Sequence, residues 1–190
     1  VVSGIGAGTR AVIIDGCTFK RTAGGPACSG VGISVLGIVT NCIFEDAAGT
    51  ASFWLSLSAG GSATSNIFRI LNGGLGTGIR SNAVISDNTF VNWNQGAAIV
   101  ADAGARVLGN TLELAGNATG ITPAGNDIEI ASNRMSGNTS GAGINNYIAA
   151  YTGVSAHHNT IRLPSGKGVW LQTQPSGTVT DNQLSSLVLA

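Results

Sequence analysis

Apolar residues recur along this chain in short patches of three to five, never in the sustained 3.6-residue rhythm that a helix needs. One stretch can serve as template. Gly78-Ile79-Arg80 comes first, Ala83-Val84-Ile85 second and Thr89-Phe90-Val91 third, with small and turn-forming residues between them. Each patch fits a strand, and Gly recurs too often for helices to survive. The same arrangement returns down the chain. An apolar residue is followed three places later by an asparagine, and two places after that by another apolar residue. Ile38 leads to Asn41 and Ile43, Ala63 to Asn66 and Phe68, Ile85 to Asn88 and Phe90, and Val107 to Asn110 and Leu112. Ile130, Ala156 and Val179 lead in the same way to Asn133, Asn159 and Asn182, and a degenerate first copy runs Val12, Asp15, Cys17. The anchors are spaced by 26, 25, 22, 22, 23, 26 and 23 residues. A repeat of this length marks a solenoid or an array.

Three short strands per repeat predict an all-β fold, a single-stranded right-handed parallel β-helix of about eight turns occupying residues 1–190 as one domain. Each turn lies ~4.8 Å along the axis from the last, giving a rod roughly 35–40 Å long. The asparagines are expected at the tight turn between second and third strands. Asn tolerates the left-handed backbone there, and its amides can form a ladder along the column. Counting from the anchors places Val12, Ile38, Ala63, Ile85, Val107, Ile130, Ala156 and Val179 inward on the second strands. Cys17, Ile43, Phe68, Phe90, Leu112, Met135, Ile161 and Leu184 follow inward on the third. On the first strands, Ile33, Phe53, Ile79, Ile99, Ile121, Ile144 and Val169 read as inward. Ser34, Trp54, Arg80, Val100, Thr122, Asn145 and Trp170 then face outward, beside small residues such as Gly78, Gly120 and Gly143 that would form a shallow floor. Trp54 and Trp170 stand ~24 Å apart on that face.

Composition narrows the picture. Charged residues make up 9% of the chain and the formal net charge is zero, while 43% is apolar. Disorder needs the opposite balance, and nucleic-acid binding needs clustered Lys and Arg, which only Lys20-Arg21 approaches. No apolar run approaches the ~18 residues of a membrane span. The start, Val1-Val2-Ser3-Gly4, has neither a basic leader nor an initiator Met, so the chain reads as a piece of a longer parent. Cys17, Cys28 and Cys42 make no metal spacing. Cys17 reads as a small core residue, and Cys28 could reach Cys42 only if its loop folds back.

The repeated pattern, as in "GIRSNAVISDNTFVN", "ARVLGNTLELAG" and "NDIEIASNRMSG", resembles that of the pectin-lyase-like right-handed parallel β-helix superfamily over essentially the whole chain. Members include pectate lyases, polygalacturonases, alginate epimerases, bacteriophage tailspikes and bacterial surface proteins. The low charge and the Gly, Ala, Ser, Thr and Asn richness look most like a tailspike or fibre fragment. That resemblance implies a homotrimer, extracellular or on a virion surface, that recognises bacterial surface polysaccharide. Two other readings stand beside it: a polysaccharide lyase or glycoside hydrolase with its site on the first-strand face, and a structural or adhesive rod without ligand.

The residues bear unevenly on these readings. A glycosidase needs two carboxyls ~5–9.5 Å apart. The nearest constellation is Glu45-Asp46 in one loop, which could hold a calcium ion or begin an acid pair, with Glu113 as a third weak catalytic candidate. The Asn-Thr-Asp, paired-Asp and Arg-Ile-Lys motifs of polygalacturonases are absent. His157-His158 is the one histidine pair, and neighbours in a strand point to opposite faces, which makes them poor joint metal ligands. Arg106 and Glu129 fall on consecutive turns as a cross-strand ion pair. Trp54, Arg80, Trp93 and Trp170 form the glycan-binding candidates. Sugars stack on aromatic rings, and Arg forks to carboxylates.

Overall fold

The computed structural model describes residues 12–21, 31–33, 37–46, 53–57, 60–71, 76–146, 150–171 and 176–185. Among them every regular element is a strand. The strands form three parallel sheets, of eight, eight and seven strands, in which each strand pairs with its counterparts one turn before and one turn after. This is a parallel β-solenoid. The template repeat shows why. Strands Thr77–Ser81, Val84–Ser86 and Thr89–Trp93 are separated only by Asn82-Ala83 and Asp87-Asn88, so the chain must bend after each one. No single strand can bury both its neighbours and itself, and stacking of turns closes the core.

Two of the three inward columns follow the expected alternation once their register is corrected at the start. The second-strand column is Ile14, Val39, Ala63, Ile85, Val107, Ile130, Ala156 and Val179. The third-strand column is Phe19, Phe44, Phe68, Phe90, Leu112, Met135, Ile161 and Leu184. In the first two turns Ile38, Cys17 and Ile43, expected inward, therefore give way to Val39, Phe19 and Phe44, while Val12 packs against the core on the same strand face as Ile14. Cys17 is exposed, not a core residue. The four phenylalanines stack ring on ring, with centroids 4.9, 4.7 and 4.8 Å apart and planes within 10° of parallel. The spacing equals the rise between paired strands, so the sheet itself sets the stack.

The reason for the offset lies at the turn between second and third strands. The ladder is real and runs Asn66, Asn88, Asn110, Asn133, Asn159, Asn182. Each Nδ2 donates to the Oδ1 of the next turn's asparagine at 2.9–3.0 Å. It donates also to a main-chain carbonyl of the turn before, as Asn110 does to Ile85. Each Oδ1 also accepts a backbone N–H from the preceding turn, the first being that of Cys42. Cys42, not Asn41, therefore holds the ladder place on its turn, and Thr18 pairing with Ile43 puts Cys17 in the place before it. The left-handed backbone expected of the asparagines belongs instead to the residue before each place: Gly16, Asn41, Ser65, Asp87, Gly109, Ser132, His158 and Asp181. Asn41 takes the strained turn and leaves the amide position to a thiol.

The first-strand sheet also departs from expectation. Its paired column runs Val31, Leu55, Ile79, Ile99, Ile121, Ile144 and Val169. Phe53 pairs with Thr77 and Leu55 with Ile79, so Trp54 falls two residues from the expected register, level with Gly78 and not with Arg80. The glycines expected as an outward floor face the core. A Cβ on Gly78 would lie 2.6 Å from both the Ala98 carbonyl oxygen and the Phe90 ring, and one on Gly120 2.9 Å from Met135 Sδ. Glycine is required there because the third strands fill that space with large side chains. Cys28 lies outside the described residues. No helix of the described residues is long and apolar enough to cross a membrane.

Candidate ligand groove

The outer surface of the first-strand sheet is built from two parallel columns of outward residues. One continues Ser56, Arg80, Val100, Thr122, Asn145 and Trp170. The other, three residues earlier on each strand, includes Ala97, Thr119, Ala142 and Lys167. Over the three turns before Lys167 and Trp170 these columns are short side chains, and they form the floor of a groove of about 490 Å³. Gly96, Asn117, Ser140 and Gly141, from the connections that lead into these strands, wall one side. Ser140 Oγ bonds the Gly116 carbonyl at 3.1 Å and Asn117 Oδ1 at 3.4 Å, tying one wall residue to the next. Thr139 Oγ1, buried, donates to the Ala118 carbonyl at 2.8 Å and holds the wall to the floor.

Trp170 and Lys167 close the far end. They lie three residues apart on the strand Lys167–Leu171, and Lys167 Nζ rests 2.9 Å from the centroid of the Trp170 ring. An ammonium over an indole face is attracted by the ring's quadrupole, an interaction of about 0.5–2 kcal/mol. Beside them, Asn145 is only 7% exposed and lines the floor, and its buried Oδ1 meets no hydrogen-bond partner among the described residues. Among the described residues that line the groove, Lys167 is the one charged side chain and none is a carboxylate.

The residues singled out from sequence meet different fates. Trp170 sits in the groove as expected. Arg80 is on the same outward column but committed elsewhere: its Nε and Nη2 fork onto the Asp102 carboxylate at 3.1–3.2 Å. That hydrogen bond, then the Asp102 charge, holds its guanidinium pKa above the ordinary value. Trp93 is a correction. It is 1% exposed and packs edge-on against Phe90, with centroids 5.7 Å apart. The third strand runs on to Trp93 with a register shift after Phe90, and that irregularity turns the indole into the core, where no glycan can stack on it. Trp54 lies in strand Phe53–Leu57, and its side chain is outside those described.

The acids do not converge. Glu45 is clamped between Lys20 and Arg69, each 3.3 Å away on the neighbouring turns. Its carboxylate is thus already neutralised by two cations, which leaves a calcium ion little to gain. The side chain of Asp46 lies outside those described. Glu113 is exposed on the same third-strand column as Glu45, by way of Arg69 and Val91. Three turns separate Glu45 from Glu113, ~14 Å at the strand spacing, which exceeds the reach of a carboxyl pair across one glycosidic bond. Glu113 and Arg162 share a column through Ser136. The expected Arg106–Glu129 pair forms at 2.7 Å. The Arg106 hydrogen bond, against some desolvation and with help from the Arg106 and His157 charges, holds the Glu129 carboxyl below its ordinary pKa. Among the described residues no group of three or more His, Cys, Asp or Glu side chains is placed to hold a metal ion.

Of the groove residues, Asn145 is on the outward column expected from sequence but without an assigned role, and Lys167 is not singled out by sequence at all. Register alone could have found Lys167, because it lies on the outward column next to that of Trp170. No family model, curated protein or solved structure matches the chain.

Proposed function

We propose that this chain is a glycan-recognising β-solenoid of the tailspike or fibre kind, binding bacterial surface polysaccharide in the groove on its first-strand sheet. The observation that carries the reading is the pairing of Trp170 with Lys167 at the end of a shallow, small-residue channel. An extended sugar chain fits a channel floored by Thr, Ala and Asn, whose short polar groups can meet hydroxyls. The aromatic ring offers a stacking face for a sugar's CH surface. Lys167 covers that face at rest. An anionic group on the glycan would draw the ammonium away, gaining an ion pair as the ring becomes available. Recognition is favoured over depolymerisation because no Asp or Glu is among the described residues lining the channel, and the candidate acids Glu45 and Glu113 stand on another sheet. A homotrimer at a virion or cell surface belongs to the same proposal.

Titrating the protein with a panel of acidic bacterial capsular polysaccharides, with neutral dextran as control, tests this directly. Binding to at least one acidic glycan is expected, and Trp170→Ala should weaken it by roughly tenfold or more, about 1.4 kcal/mol, with an unchanged circular dichroism spectrum. Equal affinity of a folded Trp170→Ala protein would remove the groove from the account. New reducing ends or unsaturated products in the same mixtures would move the chain to the depolymerase reading.

A further inference from the structure

His157 and His158 are adjacent in sequence, and strand alternation would send them to opposite faces. The backbone prevents this. His157 is the last residue of strand Thr152–His157, and His158 takes the left-handed conformation at φ 56°, in the column of strained turn residues. That rotation swings the second imidazole back beside the first. The rings meet edge to face, with centroids 5.1 Å apart, and the two Nδ1 atoms are 2.8 Å from each other.

Carboxylates occupy the other side of each ring. Glu129 Oε1 is 3.5 Å from His157 Nε2, and Asp181 Oδ2 is 4.0 Å from His158 Nε2. Glu129 is itself fixed by the 2.7 Å bond from Arg106 Nε. Glu129, at 3.5 Å, favours a proton on His157 Nε2 and leaves His157 Nδ1 with its lone pair, whereas Asp181, at 4.0 Å, stands beyond hydrogen-bond reach of His158. The short contact is a hydrogen bond in which one Nδ1 donates to the other, and a metal ion in place of that shared proton would bring both nitrogens to bear on one point. A carboxylate on the far nitrogen, as Glu129 is to His157, is how histidine metal ligands are oriented.

We propose that His157 and His158 chelate one divalent transition-metal ion through their Nδ1 atoms, with Glu129 as the carboxylate that orients His157. Imidazole nitrogens suit Zn²⁺, Cu²⁺ and Ni²⁺. Bonds of about 2.0–2.1 Å at a tetrahedral angle need the nitrogens about 3.3 Å apart. The opening required is about half an ångström, and both side chains are exposed enough to provide it, at 27% and 63%. The remaining positions are open to water or to a donor from a ligand, which makes this an exchangeable site. It lies on the second-strand sheet, apart from the groove, and does not depend on the glycan reading.

Calorimetric titration of tag-free protein with zinc chloride tests the proposal. One ion per chain with a micromolar dissociation constant is expected. His157→Gln and His158→Gln should each lose at least tenfold in affinity. Glu129→Gln, which keeps both ligands, should lose an intermediate factor as an orienting residue does. Zinc should raise the melting temperature of the parent and of neither histidine variant. Absence of stoichiometric binding, or binding that persists in both histidine variants and so resides on the thiols, would overturn it.

Discussion

Asn110 and Asn145 are both buried, both on turns of the same solenoid, and chemically identical. Asn110 uses its whole amide. Its Nδ2 reaches Asn133 Oδ1 and the Ile85 and Leu108 carbonyls, and its Oδ1 receives the backbone N–H and the Nδ2 of Asn88. Asn145, under the groove, keeps a buried Oδ1 with no partner among the described residues. A buried amide that is fully paired is an element of the fold. One left short of a partner costs free energy in the isolated protein, and that cost is removable by whatever can supply a donor. Burial and residue type therefore do not tell the two apart, whereas their hydrogen bonds do, and under the proposed function the unpaired oxygen of Asn145 is open to a ligand's donor.

The comparison is broken most severely at the ladder. Asn110→Ala removes an acceptor from two donors on the Asn88 turn and a donor from the Asn133 and Ile85 acceptors, all in the dry core. A loss of about 3–5 kcal/mol is expected in urea unfolding, at the upper end of single-residue effects. A loss below ~1 kcal/mol would mean that the ladder is incidental. A smaller effect, of opposite sign, is expected where the ladder stops. Cys42 already gives its N–H to Asn66 Oδ1 and lies with Sγ 3.7 Å from the Ile14 carbonyl. Cys42→Asn would add an amide positioned for both partners, raising stability by about 0.5–1.5 kcal/mol, read from the urea midpoint. The smallest effect belongs to the groove. Asn145→Ala deletes an amide whose oxygen is unpaired, so stability should change by less than ~1 kcal/mol, while affinity for the bound glycan falls. A stability loss as large as that of Asn110→Ala would erase the distinction drawn above.

Much of the fold was legible because the asparagine period is set by strand geometry. From Asn66 to Asn159 every second- and third-strand core position follows from counting, while Val179 and Leu184, in register on the next turn, are about half exposed. The count failed in the first turns for a local reason. Asn41 sits one residue before the ladder place and resembles the amide that belongs there, yet its role is the left-handed turn. A one-residue slip exchanges the two faces of a strand, and so Ile43 was read as core in place of Phe44. The first strands were harder still. Their turns vary in length, no polar anchor marks them, and Phe53-Trp54 matched the apolar pattern two residues out of register. Trp93 was misplaced because a strand irregularity has no single-residue signature. The two imidazoles, expected on opposite faces, lie side by side because alternation holds inside a strand and lapses one residue past its end.

The direction of the amide column has a consequence for how such a chain can change length. Every Nδ2 in it points to the following turn and every Oδ1 to the preceding one. Excising the 22 residues from Asn88 to the residue before Asn110 would rejoin a donor to an acceptor and a Phe to a Leu in the column beside it. Excising one residue fewer would put every following core side chain in solvent. Whole coils are thus the natural unit of insertion and deletion in this protein, and the connections between sheets are where finer variation can be absorbed.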